Sequence, residues 1–170
     1  MITIEQSFHE RVARHSDISE HLGMLRALAF SCSHITEFGV RSGNSTVAFL
    51  AGLPLGCRLV SYDCRPPPFT ATSAWTFHRA RTDELADIEE TDLLFFDTLH
   101  TYAQLRAELR HGNRADKWLV FHDTVTFGTV GEDGGRGLMP AIHEFTEGNP
   151  HWRTFAACQH NNGLLVLERR

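Results

Sequence analysis

Apolar residues along this chain fall into two regimes. Before residue 34 they recur at helical spacing; after it, short apolar blocks alternate with helix-spaced stretches. Residues 5–15 predict a short helix with Phe8 and Val12 on one face. Residues 18–31 predict a stronger one, with Leu22, Leu25 and Ala29 on its stripe and Asp17 and Glu20 in the D-x-x-E relation of a capping box. Then "HITEFGV" predicts a strand ending near Gly39, "RSGNST" a turn, and "VAFLAGLPLG" a helix stopped by Pro54 and Gly56. "CRLVSYDC" predicts a second strand ending at Asp63. "RPPPFTATSA" predicts a loop, because consecutive prolines supply no backbone donors.

The alternation continues. "WTFHRA" predicts a third strand, "RTDELADIEE" a polar and partly helical stretch, and "TDLLFFD" a fourth strand. "TYAQLRAELRHG" predicts a helix with Thr101 and Gln104 as a capping pair, and "KWLVFHD" a fifth strand. "TVTFGTVGEDGGRG" predicts a mobile loop that could close as a lid. "LMPAIHEFTEGN" predicts a helix begun near Pro140, and "WRTFAACQ" and "GLLVLERR" a hairpin turned at "HNNG". The expectation is an α/β fold: a doubly wound, mostly parallel seven-stranded sheet with a C-terminal antiparallel hairpin. With no repeat, low-complexity tract or linker, residues 1–170 read as one domain, with N-terminal helices over 1–34 and the core over 35–170.

Composition narrows the chemistry. A formal charge of −5 and a pI near 6.1 argue against a nucleic-acid partner. No apolar run approaches the ~18 residues that a membrane span needs, and no leader-like segment opens the chain. Cys32, Cys57, Cys64 and Cys158 include no C-x-x-C pair, and Cys57 and Cys64 read as buried thiols of a reducing cytoplasm. The eleven histidines read mostly as surface residues, and His9, His15 and His21 do not repeat at an i, i+4 step.

In an open α/β sheet, ligands sit beyond the carboxyl ends of the strands, where strand order reverses. The predicted strand ends carry Glu37, Gly39, Ser42 and Gly43; then Asp63; then Thr82 and Asp83; then Asp97 and His100; then His122 and Asp123. Polar turns alone explain one or two of these, but not an acid at three strand ends. Gly39 and Gly43 are spaced G-x-x-x-G, which by itself fits a ligand loop or an ordinary tight turn. Asp63 stands 20 residues beyond Gly43, near the ~20-residue offset at which an acid grips a ribose diol. Together they indicate a nucleoside-bearing cofactor.

"EFGVRSGNST", "VSYDC", "DLLFFDTLHTYAQLRAEL" and "KWLVFHDT", taken in order, resemble the motifs of class I S-adenosylmethionine-dependent methyltransferases, over about residues 35–170. The D-x-x-H-x-Y and H-D-T elements are most similar to the branch containing macrocin-type O-methyltransferases and cephalosporin-hydroxylase-like proteins. The resemblance implies a Rossmann-like fold and S-adenosylmethionine as cofactor. By position it implies that Glu37, Gly39 and Gly43 shape the methionine end of the pocket. Ser42, Ser45 and Thr46 would hydrogen-bond the methionine carboxylate, Asp63 the ribose hydroxyls, and Thr82 and Asp83 would lie beside adenine.

In that branch the acid at Asp97 binds a divalent ion, Mg2+ or Mn2+, and His100 is the base. The branch's two adjacent acids after strand five are here His122 and Asp123. His122 either ligates, favouring a softer metal, or points away. Without metal, Asp97 would hold the cofactor amine or cap a helix. The implied activity is methylation of a hydroxyl on a small-molecule acceptor, such as a sugar or glycosylated metabolite. The alternatives are a cephalosporin-hydroxylase-like metal-dependent enzyme and a non-catalytic S-adenosylmethionine-binding module. Phe69, Trp75 and Phe127 are candidate acceptor contacts. The acceptor would be gripped by the N-terminal helices, the 124–137 loop or a second subunit of a homo-oligomer.

Overall fold

The computed structural model describes residues 2–69 and 72–170; positions 70 and 71 of the proline-rich loop lie outside the described residues. Helix α1 spans Ile4–Ala13, α2 Leu22–Ala29, α3 Asn44–Gly52, α4 Tyr102–Glu108 and α5 Leu138–Gly148. The strands are β1 His34–Phe38, β2 Arg58–Asp63, β3 Trp75–Arg79, β4 Thr91–Phe96, β5 Ala115–His122, β6 Trp152–Cys158 and β7 Leu164–Arg169. They form one seven-stranded sheet in the order β3-β2-β1-β4-β5-β7-β6. The pairs from β3 through β5 are parallel, and β7 runs antiparallel to both β5 and β6. The doubly wound sheet and the closing hairpin are as the sequence predicts.

Side-chain alternation divides the core in two. Leu93 and Phe95 of β4 join Leu22, Leu25 and Phe49 under α1–α3, while Leu94 and Phe96 join Leu105, Phe121 and Ile142 under α4 and α5. Phe49 meets Phe95 edge-on at 5.4 Å, and Phe96 stacks on Phe121 at 4.8 Å. Each such fully buried side chain contributes about 1.5–3 kcal/mol of transfer free energy. The sheet is thereby held rigid while its carboxyl edge stays polar.

Four local expectations differ. Asp17 and Glu20 form no capping box: Ser19–His21 is a 3-10 turn without a side-chain cap, and Asp17 instead pairs with Arg41 at 2.7 Å. A box does form at Thr3 and Gln6, starting α1. At α4 Thr101 accepts from the Gln104 backbone, but the Gln104 amide turns away to Glu108. Cys64 is exposed and Cys57 half-buried, with Cys32 the fully buried thiol, because Cys57 and Cys64 lie just outside the two ends of β2. The 124–137 segment is tied down, with a bridge between Val130 and Arg136 and backbone bonds from Gly137 to Thr129, Leu138 to Phe127 and Glu132 to His100. Among the described residues no helix is long and apolar enough to cross a membrane.

Candidate active site

The strand order reverses between β1 and β4, where a ligand crevice is expected. There the backbones cross closely: Gly39 has φ +90°, and a Cβ on it would lie 1.9 Å from the Asp97 carbonyl oxygen. Gly39 is thus required by the approach of the β4 end. Gly43, at φ +75°, precedes α3 and has the Phe69 ring against its α-carbon. Asp63 braces this turn: Val40 and Arg41 donate to one carboxylate oxygen at 2.8 and 3.0 Å, and Arg65 donates to the other at 2.9 Å. Burial opposes its charge, but these backbone donors outweigh it and hold the carboxyl below its ordinary range. These donors use three of the roughly four acceptor positions of a carboxylate, so the oxygen that accepts from Arg65 keeps capacity for a further donor.

Several expected pocket residues face inward instead. Glu37 is fully buried and accepts from Ser45 Oγ at 2.6 Å, Thr46 Oγ1 at 2.8 Å and Ser61 Oγ at 2.5 Å. Ser45 and Thr46 therefore spend their hydroxyl protons within the protein and support the turn from behind. Thr82 donates into buried Glu108, which also accepts from Thr98 and Gln104. Asp83 pairs with Arg81 at 2.7 Å. Ser42 lies at the surface of the turn, where its carbonyl accepts from Arg11 Nη1 at 3.0 Å.

Beside the turn, the ends of β4 and β5 bring together Asp97, His100, His122 and Asp123. His100 Nε2 lies 2.8 Å from Asp123 Oδ2 and 3.4 Å from Asp97 Oδ1. His122 Nδ1 lies 3.0 Å from Asp123 Oδ2 and 3.3 Å from Asp97 Oδ1. Its Nε2–H donates to the Asp17 carbonyl at 3.1 Å, which fixes the ring and aims Nδ1 at both carboxylates. Burial alone would lower both imidazoles; the two carboxylates outweigh it and push each up to about 10. In turn Asp123 and Asp97 stay well below the ordinary carboxylate range despite burial. As it stands, the cluster is two imidazolium–carboxylate pairs.

Two residues escaped the sequence reading. Glu132 accepts from the His100 backbone N–H at 2.5 Å and lies 3.3 Å from its Nδ1. The Asp17 carbonyl orients His122 across 105 positions. Neither carries a local signal, since Glu132 sits in a glycine-rich loop and Asp17 acts through its backbone. Phe127 stacks on His100 at 4.8 Å, whereas Phe69 and Trp75 stack on each other at 5.0 Å, so the three aromatics do not line one pocket.

A divalent ion fits the donor set. Ligand atoms of Asp97, His122 and Asp123 lie within 4.8 Å of one another, and Asp123 Oδ1 is buried without a partner. Two carboxylate oxygens and one imidazole suit manganese, iron or zinc better than magnesium. The cavity against Asp97, His100 and His122 measures only about 10 Å3, the room of one water. A larger one, about 370 Å3, lies between α1 and the glycine turn, lined by Arg11, Arg14, His15, Arg41, Ser42 and Asn44.

No protein-family model matches the chain, and no curated protein sequence matches it. Solved structures do match its fold. The N-methyltransferase NodS of Bradyrhizobium japonicum, in complex with S-adenosylhomocysteine, superposes with a TM-score of 0.65 at 17% identity, covering 98% of this chain and 97% of that one. An O-methyltransferase of Bacillus cereus with the same ligand gives 0.63 at 16%, covering 98% and 90%. A Podospora anserina methyltransferase, also bound to S-adenosylhomocysteine, gives 0.63 at 15%, covering 98% and 87%. At such identities the likeness establishes a shared Rossmann-like fold.

Proposed function

We propose that this chain is an S-adenosylmethionine-dependent methyltransferase acting on a hydroxyl of a small molecule, such as a sugar or glycosylated metabolite, in the manner of the macrocin-type branch. One observation carries the reading. In a sheet shared with methyltransferases, the Asp63-braced glycine turn stands beside the Asp97–His100–His122–Asp123 cluster at the strand-order reversal.

When bound, S-adenosylmethionine supplies an electrophilic methyl group, and a divalent ion supplies positive charge that lowers the proton affinity of a nearby hydroxyl. Asp63 would hold the nucleoside end, with the Gly39–Gly43 turn that it braces shaping the pocket beside it. Asp97, Asp123 and the Nδ1 of His122 hold the ion. With Asp97 and Asp123 holding an ion, His100 would release its proton to solvent and stand as a neutral imidazole able to accept the proton of the acceptor hydroxyl. Phe127 and Glu132 hold its ring in place. The arginine-lined cavity beside the turn suits an acceptor that also carries a negative group.

The test is transfer of labelled methyl from S-adenosylmethionine into a panel of sugars and glycosylated metabolites. His100→Gln should lower kcat by about 10²–10⁴-fold, the usual worth of a general base, while cofactor binding persists. Equal turnover by the variant would remove His100 from the reaction. A second reading, cofactor binding without turnover, draws on the one-water room beside His100. It predicts cofactor affinity with no transfer to any acceptor.

A further inference from the structure

We propose that His21, Cys158 and His160 form a second metal site, for a soft divalent ion of the zinc class, fastening the N-terminal turn to the terminal hairpin. Cys158 ends β6, His160 begins the turn to β7, and His21 lies in the 3-10 turn before α2. Ligand atoms of the three lie within 4.8 Å of one another, and the two imidazole centroids are 4.9 Å apart. The set shares no residue with the Asp97 cluster.

The surrounding bonds prepare both rings as ligands. His21 Nε2 faces two carbonyl oxygens, those of His160 and Asn161, each at 3.1 Å. A carbonyl only accepts, so Nε2 carries the ring proton and Nδ1 keeps its lone pair. Burial lowers the His21 proton affinity, favouring that neutral form. His160 Nδ1 lies 3.0 Å from the Glu20 carboxylate, which places its proton there and leaves Nε2 free. A carboxylate or carbonyl behind each imidazole is the outer shell that orients metal-bound histidines. Cys158, half-buried and unpaired, adds the thiolate that selects zinc, cobalt or cadmium over magnesium.

The segments are already registered. Glu20 N–H donates to Asn161 Oδ1 at 2.9 Å, and Asn161 Nδ2 to the Ser16 carbonyl at 2.8 Å. A metal would therefore close a preformed clasp. Three protein ligands around a half-exposed site leave the fourth position to water. The clasp also backs the active site: the His21 ring meets His122 edge-on at 5.9 Å, and Val125 and Thr126, just beyond Asp123, donate to the Asn162 carbonyl.

The experiment is a Co2+ titration of the untagged, chelator-dialysed full chain. Wild type should develop a saturable near-ultraviolet sulfur-to-cobalt charge-transfer band that Zn2+ bleaches. The band should vanish in Cys158→Ser and persist in Asp123→Asn. In Glu20→Gln it should persist with affinity about tenfold weaker, the low end of outer-shell losses. No band in wild type, or an undiminished band in folded Cys158→Ser, would overturn the proposal. Should that variant not fold, alkylation of Cys158 in wild type decides: Zn2+ must slow it at least tenfold, and an unchanged rate overturns the site.

Discussion

Replacing Glu37 by glutamine should change how stability depends on pH. Glu37 is wholly enclosed, and its carboxylate is held by the hydroxyls of Ser45, Thr46 and Ser61. Burial raises its proton affinity more than those hydroxyls lower it, so the folded carboxyl sits at about 7 against an ordinary 4.5. The folded state therefore binds this proton more tightly than the unfolded state. Stability from this group is greatest below pH 4.5, falls as pH rises towards 7, and is lost above it. At about 1.36 kcal/mol per pH unit, the gap corresponds to roughly 3 kcal/mol. Glutamine keeps the shape and cannot ionise, and the three hydroxyls can rotate to serve an amide. Urea unfolding at pH 4.5 and 7.5 should show wild type losing about 3 kcal/mol relative to Glu37→Gln, with equal m-values. Parallel losses in the two proteins would refute the assignment of a costly buried carboxylate.

Other consequences can be checked separately. Gly39→Ala places a Cβ 1.9 Å from the Asp97 carbonyl oxygen at φ +90°. It should cost more than about 2 kcal/mol in denaturant unfolding, combining strain and overpacking. Asp97→Asn removes a donor from the set with His122 and Asp123. Manganese affinity, read by electron paramagnetic resonance, should fall by more than about 100-fold, beyond the ~10–100-fold that an outer-shell change costs; unchanged affinity would take Asp97 out of the metal site. Thr3→Ala removes the side-chain acceptor for the Gln6 amide and should speed hydrogen exchange in the first turn of α1, at about 1 kcal/mol.

What could be read in the sequence was local and repetitive. The alternation of Leu93, Leu94, Phe95 and Phe96 announced a strand buried on both faces, and the "HNNG" turn a hairpin, because each signal lies within a few residues. The Asp97, His100, His122 and Asp123 cluster was legible too, since parallel strands place their carboxyl ends on one edge. What escaped depends on partners far along the chain. Glu37 looked like a pocket residue but is sealed by hydroxyls from α3 and β2. Asp17 and Glu20 looked like a helix cap, yet Arg41 and His160 hold their side chains. His21 gave no helical repeat, because its neighbours Cys158 and His160 come from the other end of the chain.

The proposed function rests on the glycine turn and Asp63 holding the nucleoside of S-adenosylmethionine. Calorimetric titration of wild type and Asp63→Ala with S-adenosylhomocysteine tests it most directly, with thermal unfolding reporting whether the variant stays folded. Wild type should bind at one site and the variant at least tenfold more weakly, about 1.4 kcal/mol or more. No binding to wild type, or equal affinity in a folded Asp63→Ala, would contradict it.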